Sequence, residues 1–354
     1  MELEARGDPV HTRALSVSLA WRADGRLDLR GHVLDLRKRG FVPVGGDLHA
    51  SGIVHLMRIE GIVDPARRSL DALDSEQPNV AFEPSPLTRG ESCRDPAPAL
   101  RALAGARLDA GFARHVGAGF GGPRGCSHVL TLVQLAGASV AWALDREAER
   151  AGAARPFAAG SRLFQRDLVF DGFEIGRLRL LLAAQLTDLH FADAPEGALP
   201  LDHYAADRSL RVRAEVDCER MELLAVRAAE SARTRPDAPP AWRPWDAALA
   251  GLAGLPLRAG ITAELLRRVG PEPARQALAQ VLLQLTPAVQ QSVGGLASAW
   301  SPERVRALGV VGAGSFADAC YMWRRGGALH ARRAADARAA APASAEEPRP
   351  EASR

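Results

Sequence analysis

The sequence contains a single lysine, Lys38, among its 45 basic residues. Arginine supplies the rest of the positive charge, and 42 acidic residues leave a net charge of +3. Charges of both signs are interspersed, as in residues 35–39, 145–150 and 222–230, and aromatic residues make up only 5% of the chain. A nucleic-acid-binding face needs a basic stripe with exposed aromatic side chains. We therefore expect no nucleic-acid partner and assign these mixed-charge segments to the solvated surface.

Long apolar runs are also missing. Residues 1–10 contain no apolar segment of the kind that signal peptides carry, and no run approaches the ~18–20 apolar residues of a membrane span. Four cysteines in 354 residues do not suggest a disulfide framework. We expect a soluble bacterial protein of the cytoplasm with no membrane partner, and leave a protein partner open.

The chain contains an approximate long repeat. Residues 93–111 align without gaps to residues 242–260, with nine identities in nineteen positions. Upstream, Arg13 corresponds to Arg166 at an offset of 153 residues. Solenoid repeats have periods of about 20–50 residues, so a period this long predicts a duplicated domain. We place unit one at residues 11–150 and a degenerate unit two at residues 161–300.

Each unit begins with strand patterns and ends with helix patterns. Leu15, Val17 and Leu19 alternate with smaller or polar residues, which is typical of a half-buried strand. Residues 127–146 place apolar side chains on one helix face, and residues 273–285 are their counterpart. These patterns predict an α+β protein, in which two related units of antiparallel sheet plus helices pack as a pseudo-dimer.

The remaining segments lie outside the repeat. Residues 1–10 and 331–354 lack bulky apolar patterns and are predicted to be disordered. Residues 301–330 are predicted to form a C-terminal helix and a hairpin. Residues 312–317 fit the spacing of a dinucleotide fingerprint, but too few residues follow for the rest of that fold. We therefore predict no nucleotide cofactor.

Three of the four cysteines lie in distinctive settings. Cys126 follows a glycine-rich segment and precedes a helix, whose N-terminal dipole would lower the pKa of its thiol. His128 lies two residues further on. With Cys93 and Cys320 these residues would form a Cys3His set suited to zinc or to an iron–sulfur centre. His55, on a strand, could supply a second nitrogen ligand.

A structural interpretation stands beside this one, because buried cysteines most often act as small apolar residues. Cys218 is assigned such a role. Unit two has no counterpart of Cys93, Cys126 or His128, so chemistry is expected in unit one. Two functions remain open: an accessory protein or small enzyme with one thiol or metal site, or a non-catalytic interaction module with structural cysteines. The sequence does not determine the reaction or the cofactor.

Residues 122–129 (GPRGCSHV) resemble the glycine–cysteine–serine/threonine–histidine helix start of an uncharacterised bacterial family, the domain of unknown function 2889. Val129 replaces the usual leucine of that motif, and Thr131 stands at its acidic position. Further upstream, His55-Leu56-Met57 resembles the family's His-x-Met strand motif.

The resemblance covers unit one and the C-terminal extension. It implies that four residues belong to one site, although the family has no known activity and implies no reaction. These residues are Cys93, Cys126, His128 and Cys320.

Overall fold

The computed structural model describes residues 7–40, 42–44, 47–150, 158–192, 203–233, 239–257, 260–270, 272–296 and 317–340. Within them, one antiparallel sheet of nine strands packs against helices, which confirms the α+β class. The strands are β1 (Asp8–Trp21), β2 (Leu27–Arg37), β3 (Val42–Val44), β4 (Asp47–His49), β5 (Gly52–Asp64), β6 (Ser69–Asn79), β7 (Arg162–Gly176), β8 (Arg179–Phe191), β9 (Tyr204–Asp217), β10 (Glu222–Arg233) and β11 (Arg243–Pro244). The helices are α1 (Phe112–Phe120), α2 (Ser127–Arg150), α3 (Asp246–Leu249), α4 (Ile261–Val269), α5 (Gln276–Val293) and α6 (Ala328–Ala340).

The sheet runs in the order β11-β10-β9-β8-β7-β1-β2-β5-β6. We call β1, β2, β5 and β6 the first half and β7 to β10 the second half. Each half is an antiparallel meander, and the short β3–β4 pair is inserted in the first. The halves join where β1 pairs antiparallel with β7. The strands of both predicted units therefore lie in one continuous sheet.

Both halves end in the same kind of turn. The Gly105 amide donates to the Leu70 carbonyl at 2.7 Å, and the Gly254 amide donates to the Leu223 carbonyl at 2.7 Å. The two glycines have φ of 84° and 82°, a left-handed conformation that disfavours other residues. This explains the glycine of the Leu-Ala-Gly segment that the two units share.

Helices cover one face of the sheet. α2 packs against β1, β2 and β5, α5 packs against β1, β7 and β8, and the two helices contact each other. On β1, Leu15, Val17 and Leu19 are buried, each contributing about 1.5–3 kcal/mol by its burial. His11 and Arg13 continue the same alternation and are also buried. The covered face therefore contains ionisable groups as well as an apolar core.

The central helix α2 is the core helix of this arrangement. Among the described helices it is the one long and apolar enough to cross a membrane by length and composition, yet most of it is buried inside the fold. Polar residues such as Gln134 and Ser139 interrupt its apolar sequence, so no continuous apolar run is visible. A Cβ on Gly137 would lie 2.3 Å from the Phe112 ring. This close approach explains a glycine in the middle of a helix.

Several segments differ from their predicted structure. β1 begins at Asp8, inside the segment 1–10 predicted to be disordered, because its pairing with β7 orders it. The predicted hairpin is instead a 3-10 turn, Tyr321–Trp323, followed by α6. α6 continues to Ala340, inside the predicted disordered tail, because alanine and arginine favour helices and Leu329 anchors this one in the core. The predicted helix near residues 301–308 lies outside the described residues, as do residues 312–316 of the dinucleotide-like segment.

Candidate metal centre

A buried ion pair lies at the centre of the first half. Strand register places Arg13 opposite Asp35, and Asp35 opposite His55 on the next strand. Arg13 Nη1 donates to Asp35 Oδ2 at 2.8 Å, and both side chains are completely buried. A buried carboxylate is tolerated when it is paired and hydrogen-bonded. Arg13 therefore makes an ionised Asp35 compatible with the core.

Three imidazoles surround this carboxylate. His11 Nε2 lies 3.5 Å from Asp35 Oδ1, and His55 Nδ1 lies 3.5 Å from Asp35 Oδ2. His128 Nε2 lies 3.3 Å from the same Oδ2. The rings of His55 and His128 face each other with their centroids 3.9 Å apart. Nitrogen and oxygen donors from four elements, β1, β2, β5 and α2, thus converge on one point.

Two of the residues predicted from the sequence, Cys126 and His128, lie at this point because they stand at the N-terminus of α2. Cys126 lies just before the helix, and its carbonyl accepts from the Leu130 amide at 2.9 Å. Residues at i and i+2 within a helix face away from each other, but this pre-helix position brings Cys126 Sγ to 3.9 Å from His128 Nδ1. Cys126 Sγ also contacts Met57 Sδ at 3.8 Å.

Two glutamines of α5 complete the surroundings. Gln284 Nε2 donates to the Thr131 carbonyl at 3.1 Å, and its Oε1 lies 3.4 Å from Arg13 Nη2. Arg13 Nη2 also donates to Thr131 Oγ1 at 3.1 Å. Gln291 Nε2 lies 3.1 Å from His128 Nε2. The candidate site therefore lies between the first half of the sheet, α2 and a helix that follows the second half.

Burial and charge fix the protonation states of these groups. Burial lowers the pKa of His11 to about 4. Burial, with the neighbouring His55, lowers the pKa of His128 well below its ordinary value. Burial alone would raise the pKa of Asp35, but the charge of Arg13 and the imidazoles outweigh it and hold that pKa well below its usual range. At neutral pH the cluster therefore offers a carboxylate at Asp35 and neutral imidazoles at His11 and His128, which are the forms that bind metals.

The cysteines behave differently from the sequence prediction. Burial raises the pKa of the Cys126 thiol and outweighs the helix N-terminus that was expected to lower it. Burial, then the neighbouring Cys126 and Cys320, raises the pKa of Cys93 well above its usual value. Burial, then Cys126, raises the pKa of Cys320 to about 12. The structure therefore brings the three predicted thiols into one region, in protonated form.

One group of side chains meets the spacing of a metal site. Within the described residues, Asp35, His55 and His128 are the one set of three or more histidine, cysteine or acidic residues whose ligand atoms all lie within 4.8 Å of one another. Cys93 and Cys320 do not join that group. The assignment of Asp35 to the solvated surface was wrong, because the pleat of β2 turns its side chain toward Arg13 and the helices.

Sequence reasoning missed Asp35, His11 and the glutamines. A signal for Asp35 was present, since Asp188 follows at the same offset of 153 residues that relates Arg13 to Arg166. Paired charges retained in both units can be scaffold as well as surface. No local pattern marked Gln284 or Gln291, which belong to a helix far along the chain.

The second half contains a related buried ion pair without the imidazoles. Strand register places Arg166 opposite Asp188 and Asp188 opposite Arg208. Arg166 donates to both carboxylate oxygens of Asp188, at 2.6 and 2.8 Å, and Arg208 Nε lies 3.3 Å from Oδ2. A guanidinium thus occupies the register position that His55 has in the first half.

Comparison with known families identifies the segment that contains the imidazole cluster. Residues 11–141 match the family model described as "Protein of unknown function (DUF2889)". The similarity to this family is confined to residues 11–141. The match includes His11, Asp35, His55, Cys93 and His128, and it excludes Cys320 and α5. No curated protein matches the chain, and neither does any solved structure. The segment that matches this family therefore contains the three grouped side chains but not the glutamines that contact them.

Proposed function

We propose that this protein binds one divalent transition-metal ion, zinc in the first instance, through Asp35, His55 and His128. The convergence of three ligand atoms within 4.8 Å carries the proposal. Tetrahedral zinc with bonds of 2.0–2.1 Å separates its ligand atoms by about 3.3–3.4 Å. Asp35 Oδ2 lies 3.3 Å from His128 Nε2 and 3.5 Å from His55 Nδ1, close to that spacing.

Unsatisfied polar atoms support the fit. Among the described residues, His55 Nδ1 and Asp35 Oδ1 are buried without a hydrogen-bond partner. Each such atom costs about 1–3 kcal/mol, and a cation between these groups would remove part of that cost. The lowered pKa values of His128 and Asp35 favour a neutral imidazole and an ionised carboxylate, which leave lone pairs available for an ion.

Three protein ligands leave a fourth coordination position, which is typical of catalytic zinc sites. Arg13 already offsets the charge of Asp35, so an anionic fourth ligand such as hydroxide would be favoured over water. The His128 side chain keeps 11% of its surface exposed, which gives the cluster its contact with solvent. Arg13 and Gln284 would act as outer residues that orient the ligands. We therefore favour a small metalloenzyme over a purely structural metal site.

Metal binding is tested on the full chain after removal of metal by a chelator. Zinc is added, unbound metal is removed, and the stoichiometry is measured by elemental analysis, with a parallel anaerobic Fe(II) sample. We expect one zinc ion per chain and, in His55→Gln, at least about 100-fold weaker binding, since even outer residues cost 10–100-fold. His32→Gln is the matched control, because His32 lies on β2 beside Asp35 but on the exposed face. Wild-type protein without metal, or unchanged binding in His55→Gln, contradicts the proposal.

A second candidate function rests on a separate observation. Cys126 Sγ lies 3.9 Å from His128 Nδ1, and His128 Nε2 lies 3.3 Å from Asp35 Oδ2. This is the spatial order of a nucleophile, a base and an orienting group. The raised pKa of Cys126 disfavours this function at neutral pH. Its test is the rate of Cys126 alkylation by iodoacetamide: rapid labelling at pH 7 in metal-free protein favours a thiol enzyme. If both tests fail, the non-catalytic interaction module with structural cysteines becomes the better proposal.

We also propose that residues 11–150 and 161–300 arose by duplication. Support comes from the matched Arg–Asp pairs, the matched glycine turns and the shared meander order of the two halves. Sequence divergence then confines the proposed metal ligands to unit one.

A further inference from the structure

His128 presents its two ring nitrogens to chemically different surroundings. Nε2 faces the Asp35 carboxylate at 3.3 Å and the Gln291 amide at 3.1 Å. Nδ1 faces the Cys126 thiol at 3.9 Å. The proposed zinc site uses Nε2, which leaves the Nδ1 side to be explained by other chemistry.

Sulfur dominates the Nδ1 side. Cys126 Sγ contacts Met57 Sδ at 3.8 Å, and Met57 is completely buried. Met57 follows His55 by two residues on β5, so the pleat turns both side chains toward α2. One thiol, one thioether and one imidazole nitrogen therefore meet at the start of this helix.

Two more cysteines approach from separate loops. The Tyr321 amide donates to the Gly125 carbonyl at 2.8 Å, which holds Cys320 beside the residue that precedes Cys126. An ion pair between Arg324 and Glu91 ties the same segment to the loop of Cys93. The chain has four cysteines and four methionines, so half of its sulfur atoms lie in this one region. Such a concentration favours a ligand that prefers sulfur over chance packing.

We propose that Cys126, Met57 and His128 Nδ1 bind a soft monovalent metal ion, Cu(I), at a site adjacent to the zinc site. Thiolate and thioether ligands select Cu(I) among the common metals. Donors bound at about 2.0–2.3 Å in a trigonal arrangement lie about 3.5–4.0 Å apart, which matches the separations of 3.8 and 3.9 Å around Cys126. Cu(I) replaces the proton of the buried Cys126 thiol, and that proton leaves to solvent. If zinc binds Nε2 at the same time, the ring N–H proton of His128 leaves as well, because both ring nitrogens then bind a metal. This inference does not rest on the zinc proposal, because it uses the other ring nitrogen.

The test adds Cu(I) to the reduced full chain without oxygen, in competition with a colorimetric Cu(I) chelator. We expect one Cu(I) per chain, sulfur ligands in its X-ray absorption spectrum, and loss of binding in Cys126→Ser. Met57→Leu keeps the volume of the side chain and removes the sulfur, so we expect at least about tenfold weaker Cu(I) binding with a folded protein. Zinc binding should be unchanged in Met57→Leu, and Cu(I) binding should be retained in His55→Gln.

Cys218→Ser is the matched control, because Cys218 is a buried cysteine at the end of β9, in the second half. It should leave Cu(I) binding unchanged. No Cu(I) binding by wild type, retention in Cys126→Ser, or equal affinity in Met57→Leu would overturn the proposal and leave the Cys126–Met57 contact as core packing. If the protein binds Cu(I) but no zinc, the zinc proposal is contradicted and the Cu(I) proposal stands.

Discussion

The two halves of the sheet hold their buried ion pairs in the same way and surround them differently. In the first half the Arg13–Asp35 pair lies among imidazoles and sulfur, whereas in the second half Asp188 is shared by Arg166 and Arg208. His11 has Phe164 at its register position, and His55 has Arg208. Two guanidiniums satisfy Asp188, so that carboxylate has little capacity for a cation. Asp35 is paired with one guanidinium and surrounded by three imidazoles, which leaves it able to bind a cation.

The comparison separates scaffold from candidate chemistry. The features that both halves contain, namely the Arg–Asp pair, the left-handed glycine turn and the strand order, are candidates for scaffold. The candidate chemistry lies in what surrounds only the first pair, namely His11 and His55 on the strands and Cys126 and His128 at the start of α2. Buried histidine and aspartate side chains with unpartnered atoms need an explanation, and a bound ion supplies one.

The largest expected effect is loss of either central carboxylate. Asp35→Asn and Asp188→Asn should each lower the free energy of unfolding by about 3–5 kcal/mol, because each leaves a buried arginine without its counter-charge. Urea denaturation measures both. Zinc binding then distinguishes the two halves, because only Asp35→Asn should lose zinc. Loss of zinc in Asp188→Asn as well would contradict the assignment of the site to the first half.

The next effect is a pH dependence that arises from the buried His11 of the first half. The pKa of His11 is about 4 in the folded protein against 6.5 for the ordinary group, so the unfolded chain binds the proton first. Stability from this residue is complete above pH 6.5 and is lost as the pH falls toward 4. At pH 5 the loss is about 2 kcal/mol relative to pH 7.

His11→Phe installs the residue of the second half and is the matched variant. In metal-free protein its free energy of unfolding should fall less between pH 7 and pH 5 than that of the wild type. His128, whose pKa is also lowered, accounts for part of the fall that remains. An identical fall in both proteins would show that His11 does not titrate in this way.

A smaller effect tests whether α5 supports the first half. Gln284→Met keeps the bulk of the side chain but removes its bonds to the Thr131 carbonyl and Arg13, which should cost about 1–2 kcal/mol. Gln280→Met is the control on the same helix, because within the described residues the buried Gln280 Oε1 has no hydrogen-bond partner. Equal effects of the two variants would mean that Gln284 has no specific role in the site.

The strands of the first half could be predicted because their apolar residues alternate with the same period of two residues as the burial of their side chains. Leu15, Val17 and Leu19 predicted β1 correctly. His11 and Arg13 belong to the same alternation, but the burial of a polar side chain cannot be predicted from the pattern before its partner is known. The helix N-terminus at Cys126 was placed correctly as well. The predicted lowering of the Cys126 pKa was wrong, because burial raises that pKa. The degree of burial depends on packing and not on position in a helix.

The sequence by itself determined the strand and helix alternation, the internal correspondence of the two units and the segment that contains the cysteine–histidine motif. These properties are local or repeated along the chain, so they can be predicted without knowledge of the tertiary contacts. Only the tertiary structure decided that Asp35 is buried, that β2, β5 and α2 bring Asp35, His55 and His128 within 4.8 Å, and that α5 reaches across to them. Residues separated by up to 271 positions, such as Arg13 and Gln284, meet only when the sheet closes against its helices. The ionisation states that suit these residues to metal binding arise from that burial.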